Sequence, residues 1–277
     1  MIDACVIGWP IEHSRSPIIH NYWLKHYGIK GSYDKRAVKP EDASQFMKTL
    51  NEKGLAGCNV TVPLKEIAFE TAQIKESSAE AVGAANTLWL DEKGRLCAAN
   101  TDTYGFMTHL EERHPNWRGT LGRPVSILGA GGAARAIIYG FQKAGIENIH
   151  IYNRTLERAV ELANAFGDGV SARNWNDRLS SPRKSAVIVN TTTIGMNGKG
   201  DLGIDFKNAN PECIVCDIVY VPLETEFLKR AQTEGLATLD GLGMLLHQAV
   251  PGFEKWFGLR PKVTPALTTI VLESLET

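Results

Sequence analysis

Short apolar runs alternate with amphipathic stretches along most of this chain, a pattern typical of strands that alternate with helices. In the N-terminal part, apolar runs predict strands over residues 4–8, 32–38 and 58–62. Helices are predicted from Pro17, with Ser16 as the N-cap, from Pro40 and from Pro63, because proline is favoured in the first helical turn. Residues 87–90 and 95–98 flank a turn and predict a hairpin. We therefore expect an α/β unit with a mixed sheet.

The alternation continues in the second half of the chain. Apolar runs predict strands over residues 125–128, 148–152, 187–190, 214–218 and 237–239. A helix over 104–115 leads out of the first unit, and residues 114–124 have the composition of a linker. The segment from residue 244 onward is helix-like and too short for a domain, so we expect it to pack on the first unit. The predicted domains are 1–104 and 105–240, separated by a cleft and followed by a helical segment over 241–277.

A glycine-rich turn follows the strand predicted at residues 125–128, and a helix pattern follows that turn up to Gly145. Gly129 would permit a tight turn, and Gly131 would let the backbone approach a pyrophosphate at the helix N-terminus. A strand before the turn and a helix after it are the context typical of a doubly wound, Rossmann-type dinucleotide-binding domain. The turn reads Gly129, Ala130, Gly131, Gly132, Ala133 and Ala134, which is the pattern G-x-G-x-x-A.

The end of the next predicted strand indicates which dinucleotide binds. NAD sites usually carry an acidic residue here for the ribose 2′-hydroxyl, and such a residue would repel a 2′-phosphate. This chain has Asn153, Arg154 and Thr155 instead, with Arg158 close behind. Guanidinium groups bind phosphate through a planar fork of donors, which favours NADP. The alternative is that both arginines are ordinary solvated residues at a helix start.

Composition narrows the class of protein. The chain has 277 residues and a formal net charge of −1, without a basic block, which argues against nucleic acid or an anionic membrane as the main partner. We expect neither a secretory signal nor a membrane span. The five cysteines are scattered, and Cys213 and Cys216 lie in or beside a predicted strand, so neither a metal site nor a redox motif is expected. These features favour a location in the reducing cytoplasm.

Candidate chemistry in the first unit lies next to predicted element ends. Ser14 and Ser16 flank a helix N-terminus, where they would either seat a carboxylate or, for Ser16, cap the helix. Alternation places Asn59 and Thr61 on one face of a strand. Lys65 follows in the first turn of a helix, where the dipole disfavours a cation, so another group should hold it. The sequence around Asp102 offers a carboxylate for that purpose.

Together these motifs resemble those of the NADP-dependent shikimate dehydrogenase family. The matching segments run in order over nearly the whole chain. They are Ser-Arg-Ser-Pro at 14–17, Asn-Val-Thr-Val-Pro-Leu-Lys at 59–65, Gly-Ala-Ala-Asn-Thr at 83–87, Asn-Thr-Asp-Thr-Tyr-Gly at 100–105, the glycine turn, Asn-Arg-Thr at 153–155, Asn-Thr-Thr-Thr-Ile-Gly-Met at 190–196, Asp-Ile-Val-Tyr-Val-Pro at 217–222 and Asp-Gly-Leu-Gly-Met-Leu-Leu-His-Gln at 240–248.

The resemblance implies a role for each matching position. For the substrate it implies Ser14 and Ser16 at the carboxylate, Tyr220 near it, and Asn59, Thr61, Asn86, Asp102 and Gln248 at the ring hydroxyls. For NADP(H) it implies Gly129 to Ala133 at the pyrophosphate, Asn153, Arg154, Thr155 and Arg158 at the 2′-phosphate, and Thr191, Ile218 and Gly241 by the nicotinamide half. The family's acid/base lysine falls on Lys65, with Asp102 beside it.

The implied reaction is the reversible reduction of 3-dehydroshikimate to shikimate, in the pathway to chorismate and the aromatic amino acids. NADPH would supply the hydride and Lys65 the proton, with Asp102 holding the ammonium. In the oxidation direction Lys65 must be neutral to act as the base, so oxidation should be faster above neutral pH. Two alternatives stay open: a quinate or quinate/shikimate enzyme with relaxed cofactor choice, and a noncatalytic NADPH-binding sensor. A monomer or a homodimer is expected.

Overall fold

The computed structural model describes residues 2–120 and 122–275. These residues form two compact units. One consists of the chain up to Gly105 together with the segment from Leu246 onward, and the other is Phe106–Leu245. Each unit is built around its own six-stranded sheet.

The first unit alternates strands and helices and then receives two helices from the C-terminal segment. Its elements are β1 (Ile2–Gly8), α1 (Ser16–His26), β2 (Gly31–Ala37), α2 (Pro40–Lys48), β3 (Leu55–Val60), α3 (Lys65–Thr71), β4 (Ile74–Lys75), α4 (Ser77–Val82), β5 (Thr87–Leu90), β6 (Leu96–Ala99), the start of α5 (Asp102–Arg113), α10 (Ala249–Phe257) and α11 (Pro265–Glu273).

The first sheet is mixed, with strand order β2-β1-β3-β5-β6-β4. Strands β2, β1 and β3 are mutually parallel, whereas β5 runs antiparallel to both β3 and β6. The ends of β1, β3 and β6 and the start of β5 therefore lie at one edge of the sheet. Every substrate residue predicted on these strands, or in the turns that leave them, lies at this edge.

The C-terminal segment closes one face of the first unit. The indole Nε1 of Trp256 in α10 donates to the Leu88 carbonyl of β5 at 2.9 Å. The indole Nε1 of Trp23 in α1 donates to the Lys262 carbonyl at 3.0 Å. Both contacts join the segment to elements from the first part of the chain, so the N- and C-terminal parts build one core.

The second unit begins within α5 and continues with alternating strands and helices. Its further elements are a 3-10 helix (Trp117–Thr120), β7 (Val125–Leu128), α6 (Gly132–Lys143), β8 (Ile149–Asn153), α7 (Leu156–Phe166), β9 (Val170–Asn174), a 3-10 helix (Trp175–Arg183), β10 (Val187–Asn190), a 3-10 helix (Met196–Gly198), β11 (Ile214–Asp217), α8 (Glu226–Thr233), β12 (Ala237–Leu239) and α9 (Leu242–His247).

The second sheet is parallel throughout, with strand order β12-β11-β10-β7-β8-β9. The order reverses direction between β7 and β10, which is the doubly wound arrangement whose ligands bind beyond the carboxyl ends of the strands at that point. The predicted pairing of a mixed-sheet unit with a doubly wound unit is confirmed.

Three local predictions are wrong. Arg15, not Ser16, occupies the N-cap position of α1, and no side chain caps that helix start. The helix predicted from Pro63 begins at Lys65. The predicted linker packs into the second core, because Trp117 is 3% exposed and its ring lies edge-on to Phe141 at a centroid distance of 5.6 Å.

None of the helices in the described residues is long and apolar enough to span a membrane. All five cysteines are buried free thiols.

Candidate active site

Lys65 and Asp102 form an ion pair at the edge of the first sheet. Lys65 is the first residue of α3 and Asp102 the first of α5, and Lys65 Nζ lies 2.7 Å from Asp102 Oδ2. The two side chains are 29% and 13% exposed, respectively. The Asp102 carboxylate lies at the N-terminus of α5, where the helix dipole stabilises negative charge. Lys65 lies at the N-terminus of α3, where the dipole disfavours positive charge, and the ion pair with Asp102 offsets this effect. The ammonium is thus held in place yet remains accessible.

The second oxygen of Asp102 is fixed by Asn86. Asn86 Nδ2 donates to Asp102 Oδ1 at 2.8 Å. Asn86 Oδ1 accepts from the backbone N–H of Thr101 at 2.8 Å and from the hydroxyls of Thr87 and Thr101. A backbone N–H can only donate, so the amide cannot turn over, and its NH₂ group must face the carboxylate. Both oxygens of Asp102 are therefore positioned by the protein.

Asn59 lies directly behind this group and is 4% exposed. Its Nδ2 donates to the backbone carbonyl of Asn86 at 3.1 Å and to Thr87 Oγ1 at 3.2 Å. Its Oδ1 accepts from the Tyr33 hydroxyl at 2.6 Å. Burial raises the pKa of the Tyr33 phenol well above its ordinary value, so the phenol stays protonated and donates. Both amide hydrogens of Asn59 are used within the protein, which makes it a support for Asn86 and Thr87.

The serines and Thr61 occupy the turns after β1 and β3. The backbone N–H of Ser16 points to Ser14 Oγ at 3.4 Å, and Ser16 is 8% exposed. No side chain caps the start of α1, and the Ser16 side chain interacts with the buried Tyr33 phenol. Thr61 is half-buried, and a Cβ added to Gly8 would lie 2.5 Å from its methyl group, so the two turns are in close contact.

The two remaining substrate candidates lie in different units. Gln248 is half-buried in the first unit, at the N-cap position of α10. Tyr220 is half-buried in the second unit, in the turn after β11. Both residues have interactions within the protein.

The glycine turn of the second unit follows β7, beside the point where strand order reverses. Gly129 has φ +112°, which disfavours other residues, and a Cβ there would lie 2.7 Å from Thr191 Oγ1. At Gly131 and Gly132 an added Cβ would meet nothing within 4 Å, so open space lies in front of the N-terminus of α6. A turn of this shape presents backbone N–H groups to an anion.

The end of β8 carries no acidic side chain. Asn153 Nδ2 donates to the Thr155 carbonyl at 2.8 Å and thereby shapes the turn into α7. The side chains of Arg154, Thr155 and Arg158 are exposed. This edge therefore offers guanidinium groups and a hydroxyl to a bound phosphate.

Three further turns line the same edge of the second sheet. Thr191 follows β10, and its hydroxyl donates to the Leu128 carbonyl at 2.7 Å. Ile218 follows β11, and its backbone N–H donates to the Asn190 carbonyl at 3.1 Å. Gly241 follows β12 and has no room for a Cβ against the Ile218 and Val219 backbone. All the predicted cofactor residues thus lie at the ends of strands in one sheet or in the segments that follow those ends.

Comparison with known proteins identifies the family. Three family profiles match in order: "Shikimate dehydrogenase substrate binding domain" over residues 6–88, "Shikimate / quinate 5-dehydrogenase" over 116–196 and "Shikimate 5'-dehydrogenase C-terminal domain" over 241–269. A shikimate dehydrogenase (NADP(+)) of Brucella abortus (strain S19) is 50% identical over 275 residues, which cover 98% of this chain and 94% of that protein.

The chain belongs to the shikimate dehydrogenase family. The resemblance inferred from its motifs is confirmed.

Solved structures agree with this assignment. Shikimate 5-dehydrogenase from Thermus thermophilus, in complex with NADP(H) and shikimate, is 33% identical with a TM-score of 0.84 and covers 100% of this chain and 99% of that one. Quinate dehydrogenase from Corynebacterium glutamicum, in complex with NAD, is 29% identical with a TM-score of 0.88 and covers 98% and 99%.

Sequence reasoning missed the residues that support the site. Thr87 and Thr101 lie inside the family motifs, but nothing in those motifs shows that both hydroxyls donate to Asn86 Oδ1. Tyr33 lies in a predicted strand and carried no signal, because its partner Asn59 is 26 residues away in sequence.

Proposed function

We propose that this chain catalyses the reversible NADPH-dependent reduction of 3-dehydroshikimate to shikimate, in the biosynthesis of chorismate and the aromatic amino acids. The observation that carries the proposal is the Lys65–Asp102 pair at 2.7 Å in a chain of this family. Relatives at 50% identity over nearly the whole chain are NADP(+) shikimate dehydrogenases, which supports both the substrate and the cofactor.

NADP(H) fits the second unit. The backbone from Gly129 to Ala133 would hold the pyrophosphate, since the turn is open and leads into a helix N-terminus. The 2′-phosphate would bind Asn153, Arg154, Thr155 and Arg158, which present no competing carboxylate at the end of β8. Thr191, Ile218 and Gly241 would contact the nicotinamide half. The bound cofactor would supply the hydride.

The first unit would hold the substrate. Ser14 and Ser16 would seat its carboxylate, and Tyr220 is proposed as a further residue that contacts the substrate. Thr61, Asn86, Asp102 and Gln248 would bind the ring hydroxyls. Asn59 would also take part in binding the ring hydroxyls, and its amide hydrogens, donated to the Asn86 backbone carbonyl and to Thr87 Oγ1, would at the same time hold these two residues in place.

Lys65 would act as the general acid in reduction and the general base in oxidation. An ammonium beside the carbonyl oxygen can give a proton to the alkoxide as it forms. Asp102 accepts from Lys65 through one oxygen and from Asn86 through the other, so the protein fixes the direction of the lysine side chain. Oxidation requires the neutral amine, so its rate should rise above neutral pH.

The assignment of regions follows from these roles. We propose residues 1–104 as the substrate-binding catalytic domain, 105–240 as the NADP-binding domain and 241–277 as a helical segment of the substrate domain. A cytoplasmic location and a monomeric or homodimeric state complete the proposal.

Initial rates of NADPH formation from shikimate and NADP⁺ at alkaline pH test the proposal. Quinate replaces shikimate and NAD⁺ replaces NADP⁺ in parallel assays. Activity confined to shikimate with NADP⁺ is the expected result. Comparable rates with quinate or NAD⁺ would show that the chain is an enzyme with relaxed substrate or cofactor choice. A structural neighbour from Corynebacterium glutamicum is a quinate dehydrogenase in complex with NAD, which is the reason for including both compounds. Binding of NADPH without activity on either substrate would favour the alternative that the protein is a noncatalytic NADPH-binding sensor.

A further inference from the structure

Asp217 is a buried carboxylate that the proposed reaction does not use. It is the last residue of β11 and is 1% exposed. The groups that hydrogen-bond to it are neutral, and burial raises its pKa to about 6. Keeping a charge at such a position costs stability, so the carboxylate should serve a purpose that a neutral side chain would not.

The hydrogen bonds of Asp217 join three separate segments. Its Oδ1 accepts from Asn190 Nδ2 at 2.9 Å, at the end of β10, and from the Val219 N–H at 3.0 Å, in the turn after β11. Its Oδ2 accepts from Thr225 Oγ1 at 2.7 Å, at the start of α8. All three partners donate, so a side chain with two acceptor oxygens and no hydrogens satisfies them together.

Asn190 extends this arrangement into the turn after β10. Its Oδ1 accepts from the backbone N–H of Thr192 at 3.0 Å and from the Thr192 hydroxyl at 2.7 Å, and its Nδ2 also donates to the Ile194 carbonyl at 3.0 Å. The orientation of the amide is set on both sides, by Thr192 and by the carboxylate. Asp217 therefore fixes the turns that follow both β10 and β11.

We propose that Asp217 is a positioning residue for the nicotinamide half of the cofactor site. Thr191 and Ile218, assigned above to that half, lie in the two turns that it joins. The residues assigned to the phosphates follow β7 and β8 instead. Loss of the Asp217 charge should therefore disturb one half of the cofactor site and leave the other unchanged. This inference rests on the proposed function.

The test compares NADP⁺ with 2′,5′-ADP, which has the 2′-phosphate but lacks the nicotinamide. In Asp217→Asn, one acceptor oxygen becomes an NH₂ group that faces a donor. We expect kcat/KM for NADP⁺ to fall at least about fivefold, since hydrogen bonds to a charged group are strong. The inhibition constant of 2′,5′-ADP and the KM for shikimate should stay within about twofold.

Two controls separate positioning from general damage. Asp201→Asn makes the same chemical change at an exposed carboxylate of the second unit, which pairs with Arg230 at 2.8 Å, and should alter none of these values. Thr225→Val removes one donor to Asp217 and should act in the same direction, whereas Thr225→Ser keeps the hydroxyl and should behave as wild type. If Asp217→Asn does not fold, the Thr225 pair decides.

A rise in the inhibition constant of 2′,5′-ADP as large as the fall in kcat/KM for NADP⁺ would overturn the inference, because it would show general damage to the unit. An unchanged kcat/KM for NADP⁺ would overturn it as well. A wild-type protein that binds neither compound would instead refute the proposed function.

Discussion

We expect the replacement of His20 by phenylalanine to remove a pH-dependent loss of stability. The imidazole is 0% exposed and stacks on Tyr33 with ring centroids 4.0 Å apart. Neither ring nitrogen has a hydrogen-bond partner among the described residues. Burial lowers the pKa of His20 from 6.5 to about 3, and the nearby Asn59 side chain opposes that change only in part. The native protein thus holds a neutral histidine over a range in which the unfolded chain would protonate it.

The size of the effect follows from that difference in pKa. Below pH 6.5 the unfolded chain binds a proton that the native state excludes, and the cost of folding grows until about pH 3. Each pH unit in this window is worth about 1.4 kcal/mol, so lowering the pH from 7.5 to 5.0 should cost about 2 kcal/mol. Asp217 has the opposite effect, because its raised pKa lets the native state bind a proton first. The difference between the variant and the wild type isolates His20.

Urea unfolding of both proteins at pH 7.5, 6.0 and 5.0 measures this difference. The stability of His20→Phe relative to wild type should rise by about 2 kcal/mol across the series. His26→Phe, at the exposed end of the same helix, keeps the buried histidine and should show no such rise. Parallel profiles for His20→Phe and wild type would refute the argument that His20 is buried in its neutral form.

Four other changes test the site and its supports. Lys65→Ala should lower kcat by about 10²- to 10⁴-fold in steady-state kinetics while changing the KM for shikimate far less. Similar changes in kcat and KM would contradict a proton-transfer role. Replacing both Arg154 and Arg158 by serine should lower kcat/KM for NADP⁺ at least about tenfold and leave kcat/KM for NAD⁺ nearly unchanged. An equal loss of kcat/KM for the two cofactors would argue against a 2′-phosphate site. Tyr33→Phe leaves the buried Asn59 Oδ1 without its donor and should cost about 1–3 kcal/mol in urea unfolding, whereas Tyr22→Phe on a half-buried side chain should cost less. Gly57→Ala would drive a Cβ into Trp256 and the Leu88 carbonyl, so it should destabilise by about 1–3 kcal/mol, and an unchanged melting temperature would show that α10 can shift.

The periodic elements of the fold could be predicted because their signals are local. The strand predicted at 125–128 is present with the same bounds, since four buried apolar residues lie between turn signals. The strand Val170–Asn174 was not predicted, because it lies at the edge of the sheet and carries polar, partly exposed side chains. Ser16 was predicted as the N-cap because its side chain suits that position. In the fold, the same hydroxyl is buried beside Tyr33, and tertiary packing outweighs the local preference.

The candidate site was predictable as a set of residues but not as an arrangement. Position in a motif is enough to nominate Lys65, Asp102 and Asn86, and the carboxylate needed to hold the lysine was expected from helix electrostatics alone. The role of Asn59 depends on strand order. Asn59 pairs with Thr87 because β5 inserts between β3 and β6, and that pairing directs its amide hydrogens to Asn86 and Thr87. A residue whose partners are set by such non-local pairing has the same sequence signal whether it contacts a ligand or supports the residue that does. Only the structure shows that the amide hydrogens of Asn59 are donated within the protein, whereas the Lys65 side chain is partly exposed.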